Sequence, residues 1–151
     1  MAANYQFVID NMPTLVPMVG TLNIEYLELN SEHALLRMED QTEYHNHIGG
    51  IHAGAMFTLA ETASGAIVLA EFGEMFDKLV PLAVEAKIRY LKPAMGSLTA
   101  EAVMDSTVDD VLAQFESGKR PEFTITVAIR NADDVQTGEM VILWTLKLIK
   151  K

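Results

Sequence analysis

Residues 51–73 read IHAGAMFTLAETASGAIVLAEFG, and no other stretch limits the possible folds as strongly. Its length and apolar run, closed by Gly73, predict a helix over 53–72. Nine of the eighteen residues from 53 to 70 are Ala, Gly or Ser: Ala53, Gly54, Ala55, Ala60, Ala63, Ser64, Gly65, Ala66 and Ala70. They leave no polar face, which a helix on a protein surface would show. Small side chains all round allow other backbones to approach closely, as when a curved sheet wraps around the helix. A bilayer span would have to carry His52, Glu61 and Glu71, and a carboxylate near the bilayer centre costs on the order of 3 kcal/mol. The segment is therefore expected to be a buried core helix. A chain of 151 residues without cysteine buries roughly 70% of its unfolded surface, so it needs no disulfide or structural metal. One domain over residues 1–151 is expected, since no repeat or Pro/Gly/Ser linker divides it.

The remaining segments supply the sheet. Strands are expected at 24–29, 34–38, about 80–91, 97–105, 122–131 and 137–149, with Asn30-Ser31-Glu32 turning the chain between the first two. Val84, Ala86, Ile88 and Tyr90 alternate with Glu85, Lys87 and Arg89, and Phe123, Ile125, Val127 and Ile129 alternate with smaller residues. A short N-terminal helix over 2–12 is expected to be ended by Pro13 and Pro17, and a second, shorter helix or helical excursion to occupy 107–117. The fold class is then α+β, about six strands and one long helix.

The charge, −10 overall, is unevenly spread. Residues 1–77 hold eleven acids and one base, Arg37, while residues 78–151 hold ten of each. Nucleic-acid binding would need clustered Lys and Arg, but the confined bases could serve one small anionic ligand. The start, MAANYQFVID, has neither a basic segment followed by an apolar one nor an Arg-rich amphipathic pattern, so a cytoplasmic protein is expected, with no membrane partner.

The run Asn46-His47-Ile48-Gly49-Gly50-Ile51-His52-Ala53-Gly54, with Leu59-Ala60-Glu61 after it, resembles the signature of hot-dog-fold acyl-CoA thioesterases of the phenylacetate-degradation type. The spacings from Asn46 to His52 and from His52 to Glu61 agree with that family, and Val84 to Pro93 is similar to the strand that follows its helix. The resemblance covers roughly residues 20–149. It implies a six-stranded antiparallel sheet around the helix, a homodimer with a continuous sheet or a dimer of dimers (a homotetramer), and a site shared between the helix start of one subunit and the carboxylate of the other. It further implies a small or medium acyl-CoA as substrate, with coenzyme A arriving as part of it and no separate cofactor.

Elementary chemistry assigns roles to the same residues. Oxygen becomes negative as a thioester carbonyl is attacked, and free N–H groups in a helix's first turn, here at Ala53 and Gly54, point toward such charge. The family usually has Gly where this chain has Ala53. Glu61, among Ala and Leu side chains, is poorly hydrated, which raises its pKa and strengthens it as a base. It would activate water or attack the carbonyl itself to give a mixed anhydride. Asn46 would orient the water or the carbonyl, and His52 would fix the loop at the helix start. The family often places Ser or Thr in the strand after the helix; the matching position is Ala83, and Ser64 or Thr62 are the candidates to replace it.

Lys87, Arg89 and Lys92 are candidate partners for the phosphates of coenzyme A, with Arg89 and Lys92 favoured. An ordinary solvated sheet face, balanced by Glu85 and Glu122, explains them equally well, as it does Lys119, Arg120 and Arg130. His45, His47 and His52 with Glu61 offer a metal-like donor set, but the resemblance accounts for two of these without a metal, and none is expected. Two rivals stand beside hydrolysis: a non-catalytic acyl-CoA-binding module, and a hot-dog dehydratase or hydratase pairing His52 with Glu61.

Overall fold

The computed structural model describes residues 3–150. Six strands form one antiparallel sheet: β1 (Glu25–Leu29), β2 (Ala34–Met38), β3 (Leu79–Tyr90), β4 (Leu98–Met104), β5 (Glu122–Asn131) and β6 (Gln136–Leu148). Their order is β1-β2-β4-β5-β6-β3, every neighbouring pair antiparallel. Helices α1 (Tyr5–Leu15) and α2 (Pro17–Thr21) precede the sheet, α3 (Ala53–Phe72) fills it, and α4 (Val108–Glu116) links β4 to β5. This is the expected α+β hot-dog arrangement, with strand bounds within about two residues of those read from alternation.

The small residues of α3 explain how the sheet can wrap it. Eleven of its twenty residues are buried, among them Leu59, Ala60, Ala63, Ala66 and Ile67. They pack against inward side chains of the strands, including Leu36, Met38, Leu98, Ile125, Ile129, Met140 and Ile142. At Gly65 the Trp144 ring lies 3.8 Å from where a Cβ would stand. Residues Ala53–Met75 are long and apolar enough to cross a membrane by composition, yet more than half of the most apolar window is buried inside the protein. The segment is the core helix. Gly73 follows α3 in right-handed conformation, and the chain continues through a 3₁₀ turn, Gly73–Met75.

Two local expectations are corrected. The N-terminal helix starts at Tyr5, capped by Asn4, and continues past Pro13 to Leu15; residue 2 of the expected 2–12 lies outside those described. Proline costs one helical hydrogen bond, but here it falls in the last turn of a helix held down by buried Val8 and Met12. The break comes at Val16 instead, with Pro17 opening α2. In β3 the register shifts between Ala83 and Glu85, so Val84 occupies a bulge and the alternation reverses there. Pro81, Ala83, Ala86 and Ile88 therefore oppose Leu146, Trp144, Ile142 and Met140, all inward residues. Val84 does not share their face. As expected, α4 is short, and it starts from a capping box between Thr107 and Asp110.

Candidate active site

Glu61, Gly65 and Leu69 are four residues apart and share one stripe of α3. They line a cavity of about 210 Å³ with Thr62, Pro81, Trp144 and the N-terminal Met12 and Val16. Among the described residues no group bonds the Glu61 carboxylate, and burial raises its pKa above the ordinary 4.5. Beneath it, Ser64 donates to the Glu61 main-chain oxygen at 2.7 Å and accepts from Trp144 Nε1 at 3.2 Å. Both capacities of the fully buried Ser64 hydroxyl are thus committed to structure. Of the two candidates to replace the missing hydroxyl at Ala83, only Thr62 lines the cavity. Ala83 itself opposes Trp144 across β3 and β6.

Tyr26 is the polar residue near Glu61 that sequence reasoning missed. It opposes Leu36 and so faces the helix; its hydroxyl is buried without a partner. Burial, reinforced by the Glu61 charge, pushes its pKa well above the ordinary tyrosine value. In the sequence Tyr26 is simply one aromatic residue in a strand, with no spacing that links it to Glu61. An unpaired buried hydroxyl costs roughly 1–3 kcal/mol. Tyr26→Phe is therefore expected to raise the melting temperature by about 2–4 °C for each kcal/mol relieved, measured by thermal scanning; a fall would mean that the hydroxyl is bonded in solution.

The start of α3 forms a second cluster. The Asn46 side-chain oxygen Oδ1 accepts from Ile48 N at 3.0 Å and Gly50 N at 3.1 Å, closing the loop before the helix. Gly49 takes a positive φ of 78° there, a conformation glycine adopts without strain. His52 is the N-cap, its Nδ1 accepting from Gly54 N at 2.8 Å, which requires an unprotonated Nδ1. Of the two N–H groups expected to face a carbonyl, Gly54's is therefore engaged. The Ala53 N–H has no partner among the described backbone bonds. Asn46, Ala53, Tyr90 and Lys92 line one open cavity, and Tyr90 donates to the Ala53 carbonyl at 3.2 Å.

Within one chain these clusters do not meet. Eight residues of helix separate Ala53 from Glu61, about 12 Å along the axis. The expected cations also divide. Lys92 reaches the helix start, whereas Lys87 and Arg89 oppose Val141 and Glu139 on the other face of β3. Arg120 bonds Thr145 and Arg130 lies 3.8 Å from Asp134, so both have structural partners. His45 pairs with Asp40 at 2.6 Å, and among the described residues no three His, Cys, Asp or Glu side chains group as metal ligands would.

The sheet wrapped on α3 is the hot-dog fold, and solved structures share it. The Pseudomonas aeruginosa protein PA5026, described as of unknown function and a probable thioesterase, superposes with a TM-score of 0.85 at 23% identity, covering 99% of each chain. A thioesterase family protein of Silicibacter pomeroyi gives 0.75 at 19%, covering 97% of this chain and 100% of its own. The Escherichia coli PaaI protein of the phenylacetic acid degradation operon gives 0.74 at 18%, covering 97% and 94%. No curated protein matches the sequence. The chain belongs to the family described as a domain of unknown function (DUF4442), which matches residues 6–146.

Proposed function

We propose that this protein hydrolyses acyl-CoA thioesters, with Glu61 as general base or nucleophile. The observation that carries it is a desolvated, unpaired carboxylate opening on an apolar cavity. On the water route, Glu61 takes a proton as water oxygen bonds the carbonyl carbon; the C–S bond then breaks, and the thiolate recovers that proton. On the direct route, a Glu61 oxygen displaces the thiolate, and water cleaves the resulting anhydride. The Ala53 N–H, at the positive end of a twenty-residue helix, would stabilise the oxyanion. Asn46 can orient water or carbonyl through one amide N–H, its oxygen being used by the loop and its nitrogen also donating to the Ile51 carbonyl at 3.5 Å. Lys92 is the best-placed cation for a coenzyme A phosphate, with Arg89 and Lys87 reachable only from the outer face.

A second copy would complete such a centre, bringing its helix start to this chain's Glu61. The unpaired edge of β3 suits that pairing: Val80, Leu82 and Val84 are exposed on it, and a long apolar edge strand is a template for another strand. The dehydratase alternative is disfavoured, because His52 Nδ1 is committed to capping the helix. The binding-module alternative draws on Ala83 and on the engaged Ser64 hydroxyl. A panel of acyl-CoAs with free-thiol detection separates the two. Thiol release is expected; tight binding without release across the panel would leave a binding module.

A further inference from the structure

We propose that the groove between α1 and α3 is the acyl subsite of the Glu61 centre, and that it takes a long unbranched aliphatic chain rather than a short or aromatic acyl group. The proposal rests on Glu61 acting on a thioester as argued above. Beside the Glu61 cavity lies a larger one, about 450 Å³, bounded by α1 on one side and the end of α3 on the other, within the roughly 300–1,000 Å³ usual for ligand sites. Met12, Val16 and Leu69 line both cavities. They are therefore adjoining parts of one apolar passage whose inner end is Glu61.

The passage follows the helices. From Glu61 to Gly73 it runs along about 18 Å of helix; with C–C bonds near 1.5 Å an extended zigzag chain advances about 1.25 Å per carbon, so twelve carbons fill most of the passage and about fourteen span it. Among the described residues, ionisable side chains stand only at its ends, Glu61 within and Glu74 without. No cation among them lines it, and a neutral hydrocarbon matches the walls. The roof is anchored: the Tyr5 hydroxyl donates to Glu71 at 2.5 Å and Asn4 N to the Ala70 carbonyl at 3.3 Å. Phe7 and Leu15 nevertheless remain about half exposed at 51% and 58%, apolar area that a bound chain would cover.

The test compares butanoyl-, octanoyl-, dodecanoyl- and phenylacetyl-CoA as substrates, and the corresponding non-hydrolysable S-alkyl-CoA thioethers as ligands. Trp144, the only tryptophan, walls the inner cavity and reports occupancy by fluorescence. We expect kcat/KM to rise with chain length, by up to about fourfold per methylene, and thioether affinity to rise with it. Val16→Phe, and separately Leu69→Phe, should lower the dodecanoyl-to-butanoyl ratio at least tenfold by narrowing the junction. Hydrolysis without chain-length dependence, a preference for phenylacetyl, or an unchanged ratio in both variants would overturn the subsite and leave the thioesterase standing. Length-dependent thioether binding with no hydrolysis of any substrate would retain the subsite and remove the hydrolase.

Discussion

Glu61→Gln should lower thioester hydrolysis by about 10²–10⁴-fold, the usual contribution of a positioned acid–base group, while the protein stays folded. Thiol release at saturating acyl-CoA measures it, and undiminished release would remove Glu61 from the mechanism. The same substitution should stabilise the fold at neutral pH. Burial raises the folded pKa of Glu61 above 4.5, so between the unfolded and folded values the folded state holds more protons than the unfolded one. Stability then falls as pH climbs through that window and stays lowered above it. Gln carries no such penalty. Denaturation of both proteins across pH should show them diverging above the ordinary carboxylate range, with wild type the less stable, and converging below it. Activity should follow the opposite course, appearing as Glu61 ionises through its raised pKa.

Gly50→Ala is expected to damage both stability and rate. A Cβ at residue 50 would stand 2.9 Å from the Ala94 carbonyl oxygen and 3.0 Å from Met95 Sδ. That carbonyl accepts from Ile51 N at 2.7 Å, and Gly50 exchanges bonds with Asn46 on either side. The backbone has no flexible end to yield, so the loop must move away from the β3–β4 connection. Such overpacking costs about 1–3 kcal/mol, a fall in melting temperature of several degrees for a chain of this size. The loop also delivers Asn46 and the Ala53 N–H, and a displacement near 1 Å at a reacting centre costs about 10²-fold. A loss of that order in kcat/KM, at a temperature where the variant is folded, is the expected result. Normal kcat/KM in the folded variant would show that the helix start takes no part.

How far these features were legible in the sequence depended on whether they are local. The burial of α3 could be read from Ala60, Ala63 and Ala66, because a helix without a polar face has few places to lie. The strands followed from alternation, and Glu61 from the resemblance of its register with Asn46 and His52 to the thioesterase signature. The bulge at Val84 was hidden, since alternation continues across it in the sequence and only pairing with β6 exposes the reversal. Pro13 misled because local propensity yielded to the burial of Val8 and Met12. Tyr26 and the engagement of Ser64 depend on contacts between residues 35 and 80 positions apart, where no spacing rule reaches. The division of the cations between the two faces of β3 had the same origin: the list of bases was visible, their sidedness was not.

The gap of about 12 Å between Ala53 and Glu61 on one rigid helix carries a consequence for how such a protein would be controlled. On the proposed chemistry, a solitary copy owns a proton acceptor with nothing to polarise the carbonyl before it, and a polarising N–H with no acceptor beside it. Neither half can be brought to the other by bending, because eight residues of packed helix hold them apart. Catalytic competence is then a property of encounter between copies. Dilution, or any change along the β3 edge, would silence the chemistry while leaving every reacting group intact.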